Sequence, residues 1–164
     1  MDNSIQQLPI DTIHQQNQIL WLSLVGGVVM ITATLIYISN GAPEFYNQDH
    51  FFNSMFMYIA SVLTMVTAIA SGPLIKKRII TADVKGLKNK FVDFRSNFVL
   101  NAALHEGPAL ISTVFMMLDN NIYFLFFVLI NLALLYMARP TIQKFKSWYQ
   151  LSSAENQELR GLNL

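Results

Sequence analysis

The sequence predicts an all-α polytopic membrane protein: four transmembrane helices in an antiparallel bundle, with both termini in the cytoplasm. Three observations carry this reading. Four long apolar runs divide the 164 residues, and all 11 Lys and Arg residues fall in two stretches, Lys76 to Arg95 and Arg139 to Arg160. The composition, 53% hydrophobic and only 13% charged with a mean hydropathy of +0.38, does not suit a water-facing domain of this length. Residues 1–164 therefore read as one membrane domain.

A hydrocarbon core about 30 Å thick asks for about 20 apolar residues at roughly 1.5 Å rise each. The first run meets this over Ile19–Ile38 without a charge. It is longer than a secretory h-region and has no basic flank before it, so a retained span is expected rather than a cleaved signal. The second, Met55–Ile75, ends in Ser71, Gly72 and Pro73, which predicts a last turn that bends or frays. The third, Phe98–Leu118, carries Asn101, His105 and Glu106. The fourth, Ile122–Ala138, carries only Asn131. Between the last two, Asp119, Asn120 and Asn121 predict a tight hairpin turn.

Orientation follows from the bases, because cytoplasmic loops beside membrane spans retain Lys and Arg. Seven of them, Lys76, Lys77, Arg78, Lys85, Lys88, Lys90 and Arg95, fall in the connection 76–97, and the other four fall in the tail 139–164. The two outer connections have only Glu44, Asp49 and Asp119 as charged residues. In the basic connection, Leu87, Phe91, Phe94 and Phe98 recur at helical spacing with bases between them. This predicts a helix lying in the headgroup region and leading into the third span, a surface for anionic lipid or a partner. The tail repeats the pattern with Ile142, Phe145, Trp148 and Tyr149. Ser152 to Glu155 reads as a capping box that opens a short helix ending at Gly161.

Chemistry concentrates in NAALHEGPALIST, Asn101 to Thr113. Glu106 is the only acidic residue within any of the four runs. An ionised carboxylate there costs several kcal/mol, so it is expected to be neutral or partnered. Pro108 has no amide hydrogen and bares the carbonyl of Leu104, which predicts a helix kink and an acceptor one turn from Glu106. Asn131 is at nearly the same depth on the next helix, and an Asn131–Glu106 hydrogen bond would satisfy both groups. His105 stands about 100° from Glu106 around the helix and shares a row with Asn101. Ala103 with Gly107, the stripe Ala60, Thr64, Ala68 and Gly72, and the Gly26–Gly27 pair predict close helix packing, with the second helix central.

The segment from about Leu87 to Leu164, with ALHEGPAL at Ala103–Leu110, a hydrophobic hairpin, ARP at Ala138–Pro140 and a basic amphipathic tail, resembles a group of small bacterial four-helix inner-membrane proteins with an AL.EGPAL-type third helix. The resemblance implies fold and location in the bacterial cytoplasmic membrane and brings no activity with it. A weaker likeness links Glu106 to the ion-binding carboxylate of rotary ATPase proteolipids. Against it stand only seven glycines, the proline two positions after the glutamate and the long basic connection.

No GxSxG, HExxH, P-loop or pair of intramembrane acids occurs, so no catalytic residue is assigned and enzyme activity is not predicted. The chain has no cysteine, and one His beside one Glu is a poor metal site, so no metal and no cofactor are expected. Nucleic acid has no support as a partner. The expected partners are the lipid bilayer and a second membrane protein or a further copy of the chain. The expected role is an accessory or structural subunit of a membrane complex, assembled through Glu106 and the small-residue faces. The alternative is a small proton- or cation-coupled conductor using Glu106.

Overall fold

The computed structural model describes residues 9–38 and 54–161, and these are helical apart from short connections and turns. Six helices follow in order: α1 Ile10–Ile38, α2 Met55–Ala82, α3 Leu87–Leu118, α4 Phe124–Met137, α5 Ile142–Trp148 and α6 Ser153–Arg160. The connection with Glu44, Asp49 and His50 lies outside the described residues. Three helices, α1, α2 and α3, are long and apolar enough to cross a membrane. The fourth apolar stretch qualifies only when α4 and α5 are taken together across a 79° bend. Alone, the 14 residues of α4 span about 21 Å, short of a full hydrocarbon core.

Helix limits and apolar limits differ. α1 begins nine residues before the first apolar run, behind Pro9, whose fixed φ suits a helix start and whose carbonyl accepts from Ile13 N at 3.2 Å. α2 does not fray at Ser71–Pro73; it continues through Pro73 to Ala82, so Lys76, Lys77 and Arg78 ride on helix. The non-helical connection is only residues 83–86, where Asp83 (φ 40°) is left-handed and Gly86 (φ 86°) takes a positive φ with an extended ψ that glycine tolerates. Gly86 O then accepts from Lys90 N and opens α3. α3 is one 32-residue helix, uninterrupted at Pro108, that fuses the predicted headgroup helix with the third span. At about 48 Å it must project well beyond any bilayer core.

The α3–α4 turn closes as a Schellman motif with asparagine in place of glycine. Asn120 takes φ 44°, Asn120 N donates to Met117 O at 3.4 Å and Asn121 N to Met116 O at 3.1 Å. Asn121 Oδ1 then accepts from Tyr123 N at 3.0 Å, which delays α4 to Phe124. Thr141 caps α5 through Lys144 N, and the Ser152–Glu155 capping box is present in both directions, with α6 ending at Gly161 as its sequence predicts.

α3 is the central element, packed against α1, α2 and α4, where the small-residue stripe favours α2. The reason is geometric: a four-residue step drifts about 40° around a helix, so a row that starts on the buried face leaves it. Ala60 and Thr64 are buried, Ala68 and Gly72 are exposed, and the buried face continues through Ser71 and Ile75 instead. A Cβ added at Gly26, Gly27, Gly72 or Gly107 would meet nothing within 4 Å, so none of them marks a close helix crossing among the described residues. Three apolar clusters run along α3: Leu87, Phe91 and Phe94 with Phe145, Tyr149, Leu159 and Ile10; then Phe98, Ala102 and Ala109 with Trp21, Val28, Val128 and Leu135; then Met116 with Ala60 and Phe124.

Candidate functional site

The basic end of the molecule is built by α5 and α6 folding onto the first turns of α3. Phe91 and Phe145 stack with centroids 4.0 Å apart, and Phe94 meets Phe145 edge-on at 5.4 Å. The phenylalanines predicted to face headgroups therefore face the tail, and Phe91, Phe94 and Phe145 are fully buried. Beneath them Tyr149 donates to Asp93 Oδ2 at 2.6 Å, and the buried Asn97 donates to the same oxygen at 2.9 Å and to Tyr149 Oη at 3.2 Å. Burial, followed by this bond to Asp93, pushes the Tyr149 phenol well above its ordinary value. Its 56-residue separation from Asp93 hid this group from any spacing argument.

The basic residues divide by role. Lys90 pairs with Glu155 Oε2 at 2.9 Å and donates to Gln150 O, clamping α6 to α3. That ammonium, with the Ser152 amide, holds the partly buried Glu155 carboxyl below its ordinary value. Arg95 donates to Gln16 Oε1 at 2.8 Å, and Arg139 sits 5.2 Å over the Trp21 ring. Lys76, Lys77, Arg78 and Lys85 are exposed, and Lys88 is partly buried.

Deeper in the bundle, the predicted Asn131–Glu106 bond does not form. Asn131 is fully buried and donates instead to Thr64 Oγ1 at 2.9 Å and to Phe127 O, joining α4 to α2. Equal depth does not fix azimuth, and Asn131 faces α2 while Glu106 faces elsewhere. Glu106 shares a row with Ala102, Ala109 and Thr113. Ala102 and Ala109 pack in the cluster holding Trp21 and Val28, and Thr113 meets Thr32 at 3.0 Å, so Glu106 stands at the α1 edge of α3. It is partly buried, beside the exposed Ala103, and no hydrogen bond or ion pair joins it to another described residue, the Leu104 carbonyl included.

His105 occupies a different environment. It is 3% exposed, its Nδ1 has no partner among the described residues, and with Asn101 it lines a cleft between α2, α3, α4 and α5 that Glu106 does not reach. This cleft therefore offers no path from Glu106 to His105. No cluster of three His, Cys, Asp or Glu side chains able to hold a metal forms among the described residues. No family model, curated protein or solved structure matches the chain.

Proposed function

We propose that the protein is a multi-pass accessory subunit of the bacterial cytoplasmic membrane that docks a second membrane-spanning chain against the α1–α3 edge, with Glu106 as the polar contact. In this reading four spans alternate in direction and both termini and the basic end lie in the cytoplasm. Contact registers support alternation: Gln16 meets Arg95 and Thr32 meets Thr113, so α1 and α3 run the same way, whereas Phe56 stacks on Phe115 and the Ser71 region of α2 borders His105, so α2 runs opposite to α3. Gathering of the bases at one end supports the orientation.

The observation that carries the docking role is Glu106 itself. A carboxyl in a span, partly exposed and without a partner among the described residues, is costly against lipid and gains most from a hydrogen bond supplied by a neighbour. Ala103 and Gly107 beside it leave room for close approach, since Gly107 meets nothing within 4 Å. The test compares Glu106→Gln, which keeps the hydrogen-bonding shape, with Glu106→Leu, which removes it. Affinity purification from native membranes should recover the same partner or homo-oligomer with wild type and Gln and lose it with Leu. Proton flux through liposomes that requires Glu106 and is abolished by the Gln change would overturn the docking role in favour of conduction.

A further inference from the structure

Independently of Glu106, the cleft beside His105 has the makings of a ligand site. It encloses about 760 Å³, within the range of small-molecule pockets. Its lining is of two kinds. Ile75, Ile79 and Ile80 of α2 and Trp148 of α5 are apolar. The Lys76 and Lys144 ammonium groups, the Asn101 amide and the His105 ring are donors, with no carboxylate among the lining residues.

His105 adds a polar atom to this lining. The ring is only 3% exposed and its Nδ1 is sealed off and bonded to no described residue, which leaves the less enclosed Nε2 as the ring nitrogen able to donate to a ligand in the cleft. Lys144 spends one proton on Met137 O at 2.6 Å and lies 5.8 Å over the Trp148 ring, which holds the ammonium beside the cleft with donors to spare. A phosphate matches this set, since it accepts from ammonium, amide and imidazole groups together, and an acyl chain matches the isoleucines. The site also lies at the basic end, where Lys76 and Lys144 would meet headgroups. We propose that this cleft binds one anionic phospholipid, its phosphate held by Lys76, Lys144, Asn101 and His105 and its chain laid along α2.

The test follows the thermal unfolding midpoint of the full chain in a neutral detergent while short-chain phosphatidylglycerol, short-chain phosphatidylcholine or inorganic phosphate is added. Phosphatidylglycerol should raise the midpoint saturably, and the other two should do so at much higher concentration or not at all. Lys76→Gln, at an exposed position that leaves packing intact, should weaken phosphatidylglycerol binding roughly tenfold, as loss of one charge-assisted hydrogen bond predicts. Lys144→Gln and His105→Leu should weaken it at least as much. Lys77→Gln is the control: it removes the same charge one residue away, from a side chain that lines a separate hollow with Arg78. Equal weakening by the Lys77 and Lys76 changes would reduce the effect to diffuse charge and overturn the site. Equal stabilisation by phosphatidylcholine would overturn anion recognition, and inorganic phosphate binding as tightly as the lipid would overturn the lipid assignment.

Discussion

α2 and α3 are of similar length, 28 and 32 residues, yet four residues of α2 are buried against twelve of α3. Both carry a proline within the helix, and both begin or end among bases. What separates them is what covers them. α3 is covered by α1, α2, α4 and the folded-back tail, so its aromatic stripe is a protein core; most of α2 is left to whatever surrounds the molecule. Apolarity alone therefore marks a helix as fit for the membrane and says nothing of which helix is the axle.

The largest expected effect tests that contrast directly. Phe145→Ala removes a fully buried ring packed on Phe91 and Phe94, and should cost about 3–5 kcal/mol of the α5–α6 docking. Trypsin cleavage at Lys144, Lys146 and Arg160 in detergent would then accelerate markedly. Met65→Ala on the exposed face of α2 should change stability by no more than about 0.5 kcal/mol in the same assay. Comparable losses at the two positions would mean that α2 is as enclosed as α3.

A smaller effect reads a polar tie that α2 makes to α4. A double-mutant cycle on Asn131→Leu and Thr64→Val should give a coupling of about 0.6 kcal/mol, the average found for hydrogen bonds between membrane helices, and no more than about 1.7. The matching cycle of Asn131 with Glu106 should give none. Coupling in the second cycle instead of the first would restore the pairing across the α3–α4 hairpin.

A third effect separates the tail clamp from the apolar core around it. Tyr149→Phe should cost about 1 kcal/mol at neutral pH, the worth of its bond to Asp93. The sign of the pH dependence follows from the raised phenol. Its contribution is complete below the ordinary tyrosine value near about pH 10 and is lost as pH rises through the higher folded-state value. Trp148 fluorescence in a Trp21→Phe background should therefore report an alkaline release of the tail that is steeper with Tyr149 in place than in the Tyr149→Phe variant, whose ring cannot ionise. A transition unchanged by the substitution would assign alkaline release to another group.

Sequence legibility followed the range of the interaction. The Ser152–Glu155 capping box, the Asn-rich turn and the Leu87–Phe98 periodicity are local, and each is present as helix, turn or buried stripe. The bases were misleading about α2, because the point where a chain leaves hydrocarbon need not be where its helix stops, and Lys76 to Arg78 continue the helix to Ala82. Partner choice was not legible at all. Thr64 for Asn131, Tyr149 for Asp93 and the tail for Phe91 depend on azimuth and on a bend at Ala138–Thr141 that no spacing encodes. His105 and Asn101 share their predicted row and a common cleft, yet Lys144 reaches that cleft only because the chain turns back there.

The closed α3–α4 turn also bears on biogenesis. Under the proposed orientation this turn has to pass through the hydrocarbon when the chain is inserted, and every unpaired amide would add to that barrier. Asn120 N and Asn121 N are already bonded to the end of α3, and Tyr123 N to the Asn121 side chain. The last two helices can thus enter as a preformed pair, carrying their own backbone satisfaction across before the tail docks behind them.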